Sequence, residues 1–160
     1  MNNFVKFLYS AALIFLTAWI CSYFTQFGIY NWYAELDKPF AVPADSVFPV
    51  VWSLVYFLLF VSWYQILITP SPLQNKASSL FVSQLALQII WTFLFFRLGM
   101  LGAAFGVIVF LDIVVWQMIR LFRRIRPFAA YLNYFYFLWL LYATFLNFIF
   151  LYTIGANIEF

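Results

Sequence analysis

The chain has 160 residues, of which 68% are hydrophobic and only 8% are charged, against roughly 25% charged residues in a soluble domain. This composition excludes an ordinary water-soluble fold, and a net charge of +3 from so few ionisable groups does not indicate a nucleic-acid partner. With no histidine and one cysteine, Cys21, the chain has no histidine general base, no internal disulfide and no thiol–imidazole metal site.

The sequence predicts an all-α integral membrane bundle of five transmembrane helices in a single domain, residues 1–160. A helix needs about 20 mainly apolar residues to cross the hydrocarbon core. Such runs occur at about 4–27, 46–68, 77–96, 101–122 and 128–154. The first run is too long for a signal-peptide core and lacks a small-residue cleavage site, so we expect it to be retained as a helix.

The connections between these runs have clear turn signals. The segment 28–45 contains Pro39 and Pro43 and is predicted to be a loop, because proline lacks the backbone donor that a helix needs. Asp45 or Ser46 is the expected N-cap of the second helix, with Pro49 in its first turn. A short link containing Gly99 predicts that the third and fourth helices are antiparallel neighbours.

The basic residues predict the orientation of the bundle. With five spans, the N-terminus and the second and fourth loops share one side of the membrane, and that side carries Lys6, Lys76, Arg120, Arg123, Arg124 and Arg126. The positive-inside rule then places the N-terminus in the cytoplasm and the C-terminus outside. The arginine cluster has a second interpretation, as a site for lipid headgroups or a protein partner.

Three helices carry aromatic and polar residues at offsets of three, four and seven, which places each set on one face. The sets are Phe48, Trp52, Tyr56 and Trp63; Gln84, Gln88, Trp91 and Phe95; and Tyr136, Trp139, Ala143, Asn147 and Phe150. One interpretation is packing, with the amides bonded between helices. The other is a cavity for a flat, apolar ligand with polar edges. The sequence leaves both open.

The fourth helix has two further features. Asp112 lies among apolar neighbours near the middle of the span, where a charge is costly, so it is expected to face the bundle or to be protonated. A functional role and a structural hydrogen bond to a Gln, Tyr or Trp are both open. Gly102 and Gly106, with Ala103 between them, allow another helix to approach closely and suggest a homodimer.

Three motifs in order resemble the TspO/MBR family, which comprises the translocator proteins, tryptophan-rich sensory proteins and peripheral-type benzodiazepine receptors. The first is the run LDKPFAVP at 36–43, followed by Phe48, Trp52 and Tyr56. The second is QLAL at 84–87 with Trp91 and the Phe pair at 95–96. The third is YFLW at 136–139 continuing through 143–147. Together they extend over nearly the whole chain.

The resemblance implies a five-helix bundle, often dimeric, that binds porphyrins and synthetic isoquinoline or benzodiazepine ligands without a required cofactor. By position, Trp52 and Trp139 match tryptophans implicated in photo-oxidative porphyrin degradation, and Lys38 and Pro39 match a lid over the pocket. The resulting ligand-binding set is Lys38, Pro39, Phe48, Trp52, Tyr56, Gln84, Gln88, Trp91, Phe95, Tyr136, Trp139, Ala143 and Asn147. Protoporphyrin or a heme-like molecule is the expected ligand.

The sequence also departs from the family pattern. Ala41 replaces a tryptophan and Ala44 a proline in the lid, and Gln88 replaces an asparagine. The acidic position of the family falls at Val107, so Asp112 is not equated with it. No basic residue follows Tyr152, so sterol binding through the pattern at the end of the fifth helix is not expected.

The leading hypothesis is therefore a tetrapyrrole-binding translocator or sensor protein in a bacterial cell membrane, in which bound porphyrin is slowly degraded in light. Two alternatives stay open. One is a transporter of a small apolar or tetrapyrrole molecule, although no internal repeat supports alternating access. The other is a membrane interaction protein with no small-molecule ligand, whose aromatic residues only pack the bundle.

Overall fold

The computed structural model describes residues 2–33 and 42–156. Its helices are α1 (Asn3–Asn31), α2 (Val47–Ile68), α3 (Gln74–Thr92, continued by a π-helical turn Phe93–Arg97), α4 (Leu101–Ile125) and α5 (Pro127–Ala156). Each of the five is long and apolar enough to cross a membrane. This confirms the predicted all-α bundle of five spans.

The helices form a closed ring in the order α1, α2, α5, α4, α3. The contacts follow that order: α1 packs against α2, α2 against α5, α5 against α4, and α4 against α3, while α1 also meets α3 and its π-helical turn. Consecutive helices α3 and α4 are neighbours, as the short link between them requires. The start of α1, the end of α2 and the start of α5 therefore lie at one end of the bundle, which we call the N-terminal end.

Two helix ends differ from the predicted ones because charges and proline are tolerated there. Helix α4 continues to Ile125 with Arg123 and Arg124 in its last turn, where positive charge interacts favourably with the helix dipole. Helix α5 begins at Pro127, since a proline at the first helical position lacks only a donor that would be unpaired anyway.

The start of α3 corrects the sequence expectation, whereas the start of α2 agrees with it in position. Helix α3 begins at Gln74 instead of residue 77, because the Gln74 amide donates to the carbonyl oxygens of Ile66 and Leu67 at 3.1 and 3.0 Å and so ties α3 to the end of α2. Ser46 occupies the N-cap position of α2, but its side chain makes no capping hydrogen bond.

Helix α1 extends to Asn31, so the predicted loop from residue 28 begins too early. Gly28 is helical and buried, with its Cα facing the π-helical turn. Just beyond it, the indole Nε1 of Trp32 donates to the carbonyl oxygen of Phe96 at 2.9 Å. The last carbonyls of a helix lack intrahelical donors, so this bond satisfies one of them and fixes the end of α1 against the end of α3.

The link between α3 and α4 also requires a glycine, but for its backbone conformation and not for close packing. Gly99 has a φ of 65°, in the left-handed region that side chains with a Cβ rarely adopt. The backbone N–H of Met100 donates to the carbonyl of Leu94 at 2.9 Å. The chain therefore reverses within three residues after the π-helical turn, and α4 returns beside α3.

The N-terminal half of the bundle is held by stacked rings and by polar bonds between helices. The rings of Trp63 and Phe81 stack at 4.3 Å between centroids. The Ser62 hydroxyl donates to the carbonyl of Ala129 at 2.9 Å, and the Asn133 amide donates to Ser62 Oγ at 2.6 Å. Such bonds have no competition from water inside a membrane bundle, so they fix α2 against α5.

Asp112 and the small residues of α4 lie in different surroundings. The hydroxyl of Thr144 on α5 donates to Asp112 Oδ2 at 2.8 Å. The prediction of a Gln, Tyr or Trp partner for Asp112 was therefore wrong, because the partner is a threonine. A threonine hydroxyl reaches the carboxylate because α4 and α5 pack side by side. Gly102, Ala103 and Gly106 are exposed on the outside of the bundle, and the homodimer that they suggest stays a prediction.

Replacing Gly28 with alanine should destabilise the bundle. An added Cβ would lie 2.7 Å from the Phe96 carbonyl oxygen and 2.9 Å from Phe96 Cβ, and such overpacking costs about 1–3 kcal/mol. The matched control is Gly106→Ala, whose Cβ meets nothing within 4 Å, and which gains the same helix propensity. Thermal unfolding in detergent should show a lower midpoint for Gly28→Ala only; equal midpoints would contradict the proposed close contact.

Candidate functional site

A cavity of about 310 Å³ lies between α1, α2, α3 and α5, in the half of the bundle away from the N-terminal end. Its volume is at the lower end of the range for small-molecule pockets. Among the described residues that line it, none is an acid, a lysine or an arginine. This lining can hold an apolar molecule with a few hydrogen-bonding groups.

One side of the cavity is formed by aromatic rings from three helices. Trp52 is central: its ring centroid lies 5.9 Å from that of Tyr56 and 6.4 Å from those of Trp91 and Trp139. Phe48 packs edge-on against Trp139 at 5.9 Å. Three of the seven tryptophans in the chain thus line one cavity. Flat, polarisable walls of this kind favour a flat aromatic ligand.

The opposite side comes from α1, which sequence reasoning treated only as a span. Its lining residues are Ala18, Cys21, Ser22, Thr25, Gln26 and Ile29. They recur every three or four residues and, except for Ile29, are small or polar on a helix that is otherwise strongly apolar. That stripe is a signal in the sequence that this face of α1 differs from the rest of the helix, but that it lines a cavity is seen only in the structure. Ser53, Thr92, Phe96, Tyr142 and Leu146 complete the lining.

Two buried polar atoms of the lining residues have no hydrogen-bond partner among the described residues. The Gln88 Nε2 group donates to the Tyr56 hydroxyl at 3.0 Å, but Gln88 Oε1 accepts nothing. Trp139 Nε1 likewise donates to no atom of the residues that the structure describes. A buried polar group left unpaired costs about 1–3 kcal/mol, so the cavity favours a ligand that supplies both a donor and an acceptor.

The cavity opens sideways between α1 and α2. Ser22 and Gln26 on α1 and Pro49 and Ser53 on α2 all line it and are all exposed, whereas its deeper lining residues Cys21 and Trp91 are buried. Since both helices are membrane spans, this opening faces the lipid. A molecule dissolved in the bilayer can reach the cavity there without crossing the membrane surface.

The structure brings together seven residues of the predicted set at this cavity: Phe48, Trp52, Tyr56, Gln88, Trp91, Trp139 and Ala143. Four others do not line it. The hydroxyl of buried Tyr136 donates to Gln84 Oε1 at 2.9 Å, Asn147 bonds to Trp91 and to the Leu101 carbonyl, and Phe95 packs against Trp32 and Phe150. Lys38 and Pro39 lie outside the described residues.

These four residues lie behind the cavity wall and support it. They follow the same helical spacing as the lining residues, but they pack one layer further from the cavity. Tyr33, which packs against Phe95 just after α1, belongs to the same layer. Burial, with the negative charge of Asp45 as a second cause, raises the pKa of Tyr33 to about 12. Its hydroxyl is therefore neutral at physiological pH. Asp112 also lies outside the cavity, on the α4–α5 contact.

No metal centre is visible in the part of the chain that the structure describes, where no three His, Cys, Asp or Glu side chains come together. Cys21 lines the cavity as a free, buried thiol.

Comparison with known proteins gives one family. The sequence pattern described as the TspO/MBR family matches residues 10–153. The chain is 30% identical over 151 residues to the "Tryptophan-rich protein TspO" of Archaeoglobus fulgidus, covering 91% of this chain and 95% of that protein.

Two further relatives share about three-quarters of their length with the chain. The "Tryptophan-rich sensory protein" of Cereibacter sphaeroides is 29% identical over 118 residues, which is 74% of this chain and 73% of the relative. The "Translocator protein" of Ovis aries is 30% identical over 122 residues, which is 74% of this chain and 72% of the relative. The similarity thus extends from an archaeon to a mammal.

Replacing Asn147 with leucine should destabilise the bundle although Asn147 does not line the cavity. The change removes the bonds to Trp91 Nε1 and to the Leu101 carbonyl, at 3.2 and 3.1 Å, and leaves both groups buried, which costs about 1–3 kcal/mol for each. The control is Asn31→Leu, which removes an exposed bond within α1. Thermal unfolding in detergent measures both, and equal midpoints would mean that the buried bonds contribute nothing.

Proposed function

The chain belongs to the TspO/MBR family, and from this premise we propose that it binds a tetrapyrrole, such as protoporphyrin, in the cavity between α1, α2, α3 and α5. In this proposal the protein is a membrane receptor and sensor for the pigment. Bound porphyrin is degraded slowly when light and oxygen are present.

The observation that carries the proposal is the arrangement of Trp52, Trp91 and Trp139 around one cavity, whose described lining residues are all uncharged. The Trp52 and Trp139 rings lie at 82° to each other, so a flat ligand stacked on one ring presents its edge to the other. Stacked and edge-on contacts are the two favourable geometries for aromatic rings. Both indole rings can therefore contact the same macrocycle.

The polar groups of the cavity suit the centre of a porphyrin better than its carboxylates. The unpaired Gln88 Oε1 can accept from a pyrrole N–H, and the Trp139 N–H can donate to a ring nitrogen or a carbonyl of an oxidised product. The carboxylates of protoporphyrin would be costly to bury without a cation. We place them toward the membrane surface near the end of α1, where water can solvate them, with the macrocycle extending out of a cavity too small to enclose it.

The degradative step would need no catalytic acid or base. An illuminated porphyrin passes its excitation to dioxygen, and the reactive oxygen formed attacks the nearest electron-rich groups, which are the macrocycle itself and the indoles of Trp52 and Trp139. The Trp52 and Trp139 rings pack edge-on against each other at 6.4 Å between centroids, so they define where that oxidation occurs. The role of the protein is to hold the pigment beside them.

We also propose that the N-terminal end of the bundle faces the cytoplasm of a bacterial cell. That end carries Lys6, Lys76 and the four arginines of 120–126, as the positive-inside rule requires. The cavity, near Trp32 and the end of α1, then lies in the outer half of the membrane. Its opening between α1 and α2 faces the outer leaflet.

Replacing both tryptophans, Trp52→Leu with Trp139→Leu, should weaken the binding of protoporphyrin about tenfold or more, because two ring contacts worth about 0.5–1.5 kcal/mol each are lost. The measurement is a titration of the detergent-purified protein in the dark, followed by the shift of porphyrin absorbance. Under illumination, the loss of that absorbance should also slow in the double variant.

Trp19→Leu serves as the control, since Trp19 is exposed to lipid on α1 and does not line the cavity. It should bind porphyrin like the unaltered protein. Binding that is saturable but identical in the double variant would place the pigment elsewhere. If no saturable binding is seen at all, the interaction-protein hypothesis takes precedence; if porphyrin instead accumulates inside proteoliposomes, transport does.

Narrowing the lateral opening should lower the rate at which porphyrin binds from the bilayer more than it lowers the affinity. Ser53→Phe adds a ring at the exposed rim between α1 and α2, and we expect the association rate from porphyrin-loaded vesicles to fall about tenfold, while dissociation slows in parallel. Ser83→Phe, on the exposed face of α3 and outside the cavity, is the control. An unchanged rate in Ser53→Phe would show that the ligand reaches the cavity by another path.

A further inference from the structure

We infer that the N-terminal end of the bundle carries a second site, which binds the phosphate of an anionic phospholipid between the arginines at the end of α4. The inference is independent of the tetrapyrrole proposal, because it rests on different residues at the opposite end of the membrane-spanning region. Two grooves flank the last turns of α4.

The first groove runs between α3 and α4. It has a volume of about 310 Å³ and is lined by Lys76, Leu80, Gln117, Arg120, Leu121 and Arg124. The second runs between α4 and α5, with a volume of about 280 Å³ and a lining of Trp116, Arg120, Arg123, Arg124 and Tyr134. Arg120 and Arg124 line both grooves. One helical turn apart, they are neighbours on the helix surface.

No carboxylate of the described residues neutralises this cluster. The described part of the chain contains two acids, Asp45 and Asp112. Asp45 precedes α2 and so lies at the other end of the bundle. Asp112 accepts from Thr144 and precedes Arg120 by eight residues, which is about 12 Å along the helix. Three arginines and a lysine therefore face the grooves without an acidic partner there.

The chemistry of the grooves favours phosphate at a membrane interface. Guanidinium groups present planar pairs of donors that match phosphate oxygens. Beside them the ring of Trp116 packs against Tyr134 at 6.5 Å and against Phe137 at 5.4 Å. Tryptophan and tyrosine at the end of a span mark the level of the lipid headgroups, so the arginines lie where phospholipid phosphates are.

The surface next to the grooves explains why the ligand is a lipid and not a free phosphate. From Trp116 toward the middle of the bilayer, α4 exposes Ile113, Phe110 and Val109, with 49%, 54% and 38% of their surface accessible. These residues form an apolar strip on which an acyl chain can lie. Cationic grooves that lead onto an apolar strip fit a molecule with an anionic head and a hydrocarbon tail.

The test compares lipids and variants in a neutral detergent. Phosphatidylglycerol with short acyl chains is titrated against the full chain, and bound lipid is counted by native mass spectrometry. We expect it to bind about tenfold or more tightly than phosphatidylcholine with the same chains. In Arg120→Gln with Arg124→Gln, binding of phosphatidylglycerol should weaken about tenfold to thirtyfold, as the loss of two cations near an anionic lipid implies.

The matched control removes two positive charges from the same end of the bundle outside the grooves, as Lys6→Gln with Arg126→Gln. It should change binding by less than about threefold, since distant exposed charges are screened. Equal weakening in both double variants would reduce the site to general surface charge and overturn the inference. Equal binding of the two lipids would do the same.

Two further arms separate the remaining explanations. Inorganic phosphate at millimolar concentration should not displace the lipid; if it does so completely, the site recognises free phosphate and the inference is wrong. The variant Arg120→Lys with Arg124→Lys keeps the charge but loses the planar donors, and should fall between the unaltered protein and the glutamine variant. It also provides the answer if the glutamine variant does not fold, because lysine there should still prefer phosphatidylglycerol.

Discussion

The hydrogen bond from Trp91 Nε1 to Asn147 Oδ1 is the contact on which the cavity depends. Asn147 also donates to the carbonyl of Leu101, so one buried amide joins α3, α4 and α5. Within the bilayer, no water is available as a hydrogen-bond partner for an unpaired amide or indole N–H. The bond therefore fixes the angle of the Trp91 ring, and through its contact with Trp91, the position of Trp52 at the centre of the aromatic wall.

The buried polar residues of the bundle separate into two groups, those at helix contacts and those at the cavity. Gln84, Tyr136, Ser62 and Asn133 bond to one another or to backbone carbonyls across helix contacts, and they hold the ring of helices closed. Gln84 Nε2 and Asn133 Oδ1 have no partner among the described residues, but they do not line the cavity; Gln88 and Trp139 each present an unpaired atom at it. Because burial without a partner is costly, this second group favours occupation of the cavity by a ligand with matching polar atoms.

The two ends of the bundle differ in charge and in the kind of molecule that they suit. The end with the cavity is closed by Trp32 on the Phe96 carbonyl and by Gly28, where no side chain fits. The described residues of its lining are uncharged, so they suit an apolar pigment reached from the bilayer. The N-terminal end carries the arginine grooves, which suit anionic headgroups. Such headgroups would also hold the bundle at a fixed depth and orientation in the membrane.

The sequence by itself determined the five spans, because a helix across a bilayer needs a length and an apolarity that no other part of the chain has. It also identified Trp52, Trp91 and Trp139, one on each of three helices, because their helical spacing and the motif matches agree. It did not separate Gln88, which lines the cavity, from Gln84 on the same face, nor reveal the α1 wall of Cys21, Ser22 and Thr25. Periodicity gives the direction in which a side chain points; whether that direction meets a cavity or a neighbouring helix depends on how far apart the helices pack, and only the tertiary structure decided that.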